Sequence, residues 1–160
     1  MQKSSRIALT LAALLVVVLV AYFVVRQPQP SDQEQIMAQM DAARAAAERH
    51  DAGGIMKIIS ADYKGGTPAD GNVDELHFFL SRNIGKAGPV DVMLSSPSIT
   101  LQGDAATSVS HLTVRTRDDN MARYDQNITL HWKRESGYRL LVVPTAVWRV
   151  VKADFPYPEE

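Results

Sequence analysis

The sequence predicts an α+β domain, with three helices packed on a curved antiparallel four-stranded meander, behind an N-terminal transmembrane helix. Three observations predict this class. Residues 7–25 form an uncharged apolar run, residues 32–84 place apolar side chains at helical spacing, and the chain from Pro89 onward alternates apolar and polar residues. The length of 160 residues allows one such domain.

The apolar run 7–25 has the length of a membrane span. As a helix it would be about 28 Å long, close to the hydrocarbon thickness of a bilayer. Lys3 and Arg6 precede the run, so the positive-inside rule places residues 1–6 in the cytoplasm and the domain outside. A cleaved signal peptide is the alternative, although no clear small-x-small site follows the run. We therefore expect a single-pass protein of the cell membrane with an extracytoplasmic domain on the periplasmic side.

The charge balance of the chain excludes several classes of function. The whole chain has a formal charge of −1. It therefore lacks the basic excess that is typical of nucleic-acid-binding proteins. The absence of cysteine excludes a disulfide scaffold, a thiolate metal site and a lipoprotein anchor. No metal or cofactor motif occurs, so the sequence predicts neither.

A linker, residues 26–31, contains two prolines that favour an extended backbone between span and domain.

Capping residues and apolar stripes locate the three helices. Ser31 followed by Glu34 has the spacing of a capping box, which starts the first helix and the domain, 32–150. We expect Gly53-Gly54 to end this helix and a short second helix to run from about residue 55 to residue 60. Asn72 is expected to cap the third helix. The predicted buried stripe of the first helix recurs at helical spacing: Ile36, Met40, Ala43 and Ala47.

Three turns predict the pairing of the strands. The turns are expected at Gly103-Asp104, at residues 118–120 and at residues 135–137, with an extended tail over residues 151–160. Each turn sets a register that brings apolar side chains to one face. The three registers place Ile99 opposite Ser108, Val114 opposite Tyr124, and Trp132 opposite Leu140.

Three short motifs carry a family resemblance. They are Ile59-Ser60-Ala61-Asp62-Tyr63, Ile99-Thr100-Leu101-Gln102-Gly103-Asp104-Ala105-Ala106 and Ser136-Gly137-Tyr138-Arg139-Leu140. Together with the element order, residues 32–150 resemble the nuclear transport factor 2-like superfamily, a cystatin-like cone, and in particular its small bacterial SnoaL-like and calcium/calmodulin-kinase-association members. The resemblance implies a cone-shaped α+β fold. The superfamily includes isomerases, dehydratases, cyclases, transport adaptors and secretion-machine components, so fold alone does not choose a function.

The predicted inner face of the sheet carries no charge, which favours a small apolar ligand between sheet and helices. An acid or base for catalysis would have to come from the helices or loops. The residues that we predict to line the ligand pocket are Tyr124, Gln126, Trp132, Trp148, Ser108 and Ser110.

If the domain is an enzyme, its candidate catalytic residues are Asp62, His77 and Tyr63. A buried Asp62 would have a raised pKa, which suits a general base, and Tyr63 would serve as a donor. The simpler interpretation is that Asp62 binds backbone N–H groups where the second helix ends. His77 is then a histidine at the boundary of the third helix's buried face.

The predicted outer face mixes charged and aliphatic residues, which favours a homodimer or another protein partner. The alternative is a solvated face with ordinary cross-strand pairs. The leading function is therefore a non-enzymatic, membrane-anchored domain for protein partners or a small apolar ligand. An isomerase, dehydratase or cyclase, and a structural subunit of an envelope assembly, are the alternatives. The residues predicted for the partner face are His111, Arg115, Arg123, Leu141 and Val143.

Overall fold

The computed structural model describes residues 15–16, 30–65, 71–86, 88–118, 122–139 and 143–156. Within these ranges, no helix is long and apolar enough to cross a membrane. The predicted span, 7–25, lies outside the described residues except for positions 15 and 16. The predicted linker is described only from Pro30, and the predicted tail only as far as Pro156.

The three predicted helices are present and begin at the predicted caps or close to them. The hydroxyl of Ser31 accepts from the N–H of Glu34, and the Glu34 carboxylate accepts from the N–H of Ser31 at 2.7 Å, which completes the capping box. The side chain of Asn72 accepts from the first backbone N–H groups of the third helix, as predicted. The helices are α1 (Asp32–Glu48), α2 (Ala52–Met56) and α3 (Val73–Asn83), and a 3-10 turn (Ile84–Lys86) follows α3.

The second helix starts earlier than the glycine pair suggests. Asp51 caps α2 by accepting from the N–H of Gly54 at 2.8 Å, so Gly53-Gly54 lies inside α2. The prediction that this pair ends the first helix is wrong, because α1 already ends at Glu48 and His50 has a left-handed φ of 57°. A Cβ on Gly54 would come within 2.8 Å of the Cβ of Ala46 in α1. Glycine is therefore required here because α1 passes close to the α2 backbone.

Among the described residues the sheet has five strands, one more than predicted, and the pairs between these strands are antiparallel. The strand order is β1-β3-β4-β5, and β2 pairs with the same long strand, β3, beside β1. Since β3 is long enough to hold two short strands end to end, the predicted first strand is in fact two. The strands are β1 (Val90–Leu94), β2 (Ser98–Gln102), β3 (Ala105–Thr116), β4 (Ala122–Arg139) and β5 (Val143–Asp154).

The break between β1 and β2 reverses the alternation in β1, because one continuous strand would bring Met93 to the same inner face as Ile99. Pro97 has no N–H to give to a ladder, and the Ser95 hydroxyl accepts from the N–H of His111 at 2.8 Å. The shift in phase buries Val92 and turns Met93, which is 47% exposed, to the outer face. A single strand with one constant phase was therefore the wrong prediction for this segment.

Two of the three predicted registers are confirmed, and the third is wrong. Ile99 pairs with Ser108, and Val114 pairs with Tyr124. In the third hairpin Trp132 pairs with Val150, not Leu140, because β4 continues through Gly137 to Arg139. A Cβ on Gly137 would approach Cγ2 of Val147 to 2.6 Å, so this glycine allows two strands to pack closely and does not form a turn.

The helices lie against one face of the sheet, and both sides of the sheet have covered edges. On one side, the chain after α2 pairs in parallel with β5, where the N–H of Ser60 bonds to the carbonyl of Val150 at 2.9 Å. On the other side, the carboxylate of Glu48 accepts from the N–H of Val92 in β1 at 3.3 Å. The largest side chains of the core are Trp132, Trp148, Ile36 and Val150.

Candidate functional site

A cavity of about 550 Å³ lies between the helices and the inner face of the sheet. The C-terminal half of α1, Ile55 of α2, the segment that follows α2 and one face of α3 form its helical wall. The sheet contributes side chains from β1, β3, β4 and β5. Representative lining residues are Met40, Ile58, Leu76, Leu112, Ile128 and Val150.

Small residues on α1 leave this space open. Ala43 and Ala47 belong to the apolar stripe predicted for α1, and both line the cavity. The same stripe is filled by larger side chains nearer the start of the helix, where Ile36 is completely buried. The alanine side chains are therefore too small to fill the space between this part of α1 and the sheet.

The few polar groups that line the cavity have protein partners. Nε2 of His50 lies 2.7 Å from the carbonyl oxygen of Gly88, and Nη1 of Arg44 lies 3.0 Å from the Glu48 carboxylate. The hydroxyl of Tyr124 donates to the carbonyl of Pro156 at 3.2 Å, and burial raises the pKa of this phenol. Arg44 is the single formally charged residue among the described residues that line the cavity.

Of the six residues predicted to line the pocket, only Tyr124 lines this cavity. Nε1 of Trp132 donates to the hydroxyl of Ser108 at 2.8 Å in the buried core, outside the cavity. Nε1 of Trp148 donates to the carboxylate of Asp32, the first residue of α1, at 3.0 Å. Ser110 and Gln126 also lie outside the lining. The alternation of the strands indicated the correct face of the sheet but not how deep each residue lies under α1.

The candidate acids and bases do not meet in the cavity. The carboxylate of Asp62 lies 2.7 Å from Nζ of Lys133, and this contact lowers the pKa of Asp62. Its own N–H donates to the Ser60 hydroxyl at 2.9 Å. His77 is exposed on α3 and does not line the cavity, whereas Tyr63 is buried and does. An exposed Asp62 whose pKa is lowered by the Lys133 ammonium is a weak base and is poorly suited to general-base catalysis.

The outer face of the sheet carries cross-strand polar pairs. Nε2 of His111 lies 2.9 Å from the Asp125 carboxylate, which also accepts from the Thr113 hydroxyl at 2.7 Å. Arg115 is close enough to lower the pKa of Asp125 further. Leu141 lies outside the described residues, as do the side chains of Arg123 and Val143. Partner binding through this face stays a prediction.

The pair of His111 and Asp125 should make stability depend on pH. Hydrogen bonds that the His111 imidazole donates to the carboxylate of Asp125 and the side-chain oxygen of Asn127 raise the pKa of His111, and the hydrogen bonds that Asp125 accepts from Thr113 and His111 lower the pKa of Asp125. The histidine's contribution is complete below its unfolded pKa of about 6.5 and is lost as pH rises through the folded value. The contribution of Asp125 is present above about 3.9 and is lost as pH falls through its folded value.

An NMR titration of the imidazole of His111 tests this pairing. We expect the midpoint to fall in Asp125→Asn, because the carboxylate that stabilises the imidazolium is gone. Asp154→Asn, which changes the carboxylate beside His131, should leave the His111 midpoint unchanged. A midpoint that does not move in Asp125→Asn would show that the pair does not form in solution.

Sequence reasoning missed several lining residues. Arg44 follows Met40 by four positions, so helical spacing places it beside the apolar stripe of α1. Phe155 lies in the predicted tail, but its ring packs against Tyr124 with centroids 6.3 Å apart, and it closes one side of the cavity. β5 itself runs to Asp154, beyond the predicted end of the domain at residue 150. An aromatic residue directly after a strand was the available signal.

Comparisons with known proteins identify the fold. No protein-family model matches the chain, and no curated protein matches it. Among solved structures, a nuclear transport factor 2-like protein of unknown function from Pseudomonas putida superposes with a TM-score of 0.66 at 16% identity, covering 80% of this chain and 87% of its own. A protein of unknown function with a cystatin-like fold from Nostoc punctiforme gives 0.61 at 15% identity, with 79% and 92% covered.

A third similar structure agrees with these two. It is a nuclear transport factor 2-like protein with a cystatin-like fold from Novosphingobium aromaticivorans, with a TM-score of 0.61 at 16% identity, covering 90% of this chain and 85% of that one. Identities this low describe a shared fold and transfer no activity. The chain therefore has the nuclear transport factor 2-like fold, also called the cystatin-like fold, as its sequence motifs predicted.

Proposed function

We propose that the chain is a membrane-tethered binding protein that holds a small apolar ligand in the cavity of its cone. The observation that carries this proposal is the cavity itself. Its volume of about 550 Å³ lies within the range of about 300–1,000 Å³ that is usual for small-molecule sites. A ligand that fills it would be largely removed from water.

The chemistry of the lining supports an apolar ligand. Aliphatic and aromatic side chains form almost all of the described wall, and no described carboxylate lines it. His50 and Tyr124 already hydrogen-bond to backbone carbonyls, so they do not require polar atoms from a ligand. A ligand that buried its own polar atoms among these side chains would lose hydrogen bonds to water without replacement, which disfavours polar molecules.

The position of the titratable residues favours binding over the isomerase-type hypothesis. Asp62 is engaged by Lys133 on the outside of the sheet, and His77 is exposed on α3. Tyr63 alone among the three candidate catalytic residues lines the cavity. The proposal therefore assigns the cavity to retention of a ligand and gives Asp62 a structural role.

The tether is the second part of the proposal. The uncharged run 7–25 has the length and the flanking charges of a single membrane span with the domain outside the cytoplasm. A binding domain held at a bilayer would meet apolar molecules where they are most concentrated. The tether therefore fits the chemistry of the cavity.

A pair of matched variants on α1 tests ligand binding. The full chain in zwitterionic lipid nanodiscs is titrated with the neutral, apolar fluorophore N-phenyl-1-naphthylamine, with empty nanodiscs as the blank. We expect saturable fluorescence above the blank. Ala43→Trp places an indole in the cavity and should weaken binding by at least about tenfold, which corresponds to 1.4 kcal/mol. Ala42→Trp, on the exposed side of α1, should bind as the native chain does.

Two results would contradict the proposal. One is fluorescence that does not exceed the blank, and the other is equal binding by Ala43→Trp and the native chain. Thermal unfolding of both variants shows whether each retains the fold. Recovery of the native chain in the membrane fraction after alkaline carbonate extraction tests the tether separately from the cavity.

A further inference from the structure

The exposed side of α3 carries an aromatic residue followed by two cations at helical spacing. Phe78 is 64% exposed, and Arg82 and Lys86, both exposed, follow it by four and eight positions. The guanidinium carbon of Arg82 lies 5.7 Å from the centre of the Phe78 ring. Since residues four apart are neighbours on a helix, these side chains form one stripe that continues into the 3-10 turn.

This stripe borders the cavity. Phe79 lines the cavity and is still 37% exposed, so α3 forms part of the cavity rim. Phe78 lies immediately beside it and points a large apolar ring to solvent. Phe78 and Phe79 together present two adjacent, exposed aromatic rings at the rim of the cavity.

The chemistry of the stripe fits a lipid surface better than a protein pocket. Phenylalanine on a surface helix can insert at the boundary between head groups and acyl chains, and arginine and lysine are attracted to anionic head groups. The acidic residues of α3, Asp74 and Glu75, lie in its first turn, whereas Arg82 lies in its last turn. The N-terminal end of α3 is therefore negative and its C-terminal end is positive. The C-terminal end of α3 is the end that would approach an anionic surface.

The tether keeps this surface close to a membrane. The linker, residues 26–31, between the predicted span and α1, reaches at most about 22 Å when fully extended. A domain held at that distance has a high effective concentration at the bilayer, so a weak contact is sufficient to orient it. Since α1 is about 25 Å long, contact of α3 with the bilayer requires α1 to lie oblique to the membrane normal.

We propose that the stripe Phe78, Arg82 and Lys86 docks the cavity rim on the surface of the anionic bilayer to which the chain is tethered. This inference rests on the proposed function, because it assigns the membrane as the source of the apolar ligand. In the docked state the ligand enters between Phe79 and the lipid without crossing bulk water.

The absence of cysteine allows a direct test by spin labelling. Ser81→Cys, exposed beside the stripe, and Thr100→Cys, exposed on β2, are labelled separately in the full chain. The proteins are reconstituted in vesicles of phosphatidylcholine with phosphatidylglycerol. Docking predicts that the label at position 81 collides with oxygen several-fold more, relative to a water-soluble nickel complex, than the label at position 100.

A charge variant and a lipid change complete the test. Arg82→Gln with Lys86→Gln, or vesicles of phosphatidylcholine alone, should bring the ratio at position 81 close to that at position 100. Equal ratios at the two positions in anionic vesicles would overturn docking while leaving the tether and the cavity intact. Loss of the chain from the vesicles on carbonate extraction would instead overturn the tether, and docking with it.

Discussion

Replacing Trp148 with alanine is expected to lower the free energy of unfolding by about 4 kcal/mol. The side chain is completely buried, and its Nε1 donates to Asp32 at the first turn of α1. The guanidinium of Arg134 lies over the ring, with its central carbon 5.6 Å from the ring centre. Removal of the indole therefore leaves a large void and releases the start of α1 from the sheet. Urea unfolding of the full chain, followed by circular dichroism, measures the loss.

Two further variants separate the causes of this effect. Trp148→Phe keeps an aromatic ring but loses the bond to Asp32, and should lose less stability than Trp148→Ala. Phe78→Ala removes an exposed aromatic ring and should change stability by no more than about 0.5 kcal/mol. A loss in Trp148→Ala no larger than that in Phe78→Ala would show that the indole does not anchor α1.

The bond from Trp148 also predicts a pH dependence with a definite sign. Hydrogen bonds from Trp148 and Arg134 lower the pKa of Asp32. The stabilisation is therefore present above the unfolded pKa of about 3.9 and is lost as pH falls through the lower, folded value. The difference in stability between the native chain and Trp148→Phe should shrink in acid.

The second large effect is expected at Ile36, where alanine should cost about 3 kcal/mol. Ile36 is completely buried in the core, so its replacement by alanine removes apolar contacts and leaves a cavity beneath α1. Met37→Ala is the matched control. Met37 is the next residue of the same helix and is 40% exposed, so its replacement should have little effect. Equal losses in the two variants would contradict the predicted orientation of α1.

The parts of the fold that the sequence predicted correctly are those that depend on local chemistry. The capping box at Ser31 and the cap at Asn72 need only a side-chain oxygen within three residues of a free N–H. The turn at Gly103-Asp104 sets its own register, since Gly103 has a φ of 61°, a conformation that glycine adopts without strain. Each of these caps and turns depends only on residues that are close together in the sequence.

The errors arise where distant residues decide. Gly137 was interpreted as a turn residue, but its role depends on Val147 in the neighbouring strand. The break after β1 depends on a hydroxyl of Ser95 that bonds to His111 sixteen positions away. The depth of Trp132 and Trp148 depends on where α1 crosses the sheet. None of these contacts is visible in a short window of sequence.

The candidate site also has features that the local sequence predicts and features that depend on distant residues. The uncharged character of the inner face follows from strand alternation and is correct for the described strand residues of the cavity wall, whereas α1 contributes the charged Arg44. The location of the open space does not follow from alternation, because it is set by Ala43 and Ala47 on a helix that packs from above. Asp62 resembles a pocket carboxylate in sequence, yet the parallel pairing of its segment with β5 brings it to Lys133.

The covered edges of the sheet have a consequence for behaviour at high local concentration. Open edge strands are templates for intermolecular β-pairing and aggregation. Here the backbone of Val150 is bonded to the segment after α2, and the N–H of Val92 is bonded to the carboxylate of Glu48. In the proposed tethered state many copies would share one membrane and meet often, and these two contacts remove some of the hydrogen-bonding groups through which their sheets would join into fibrils.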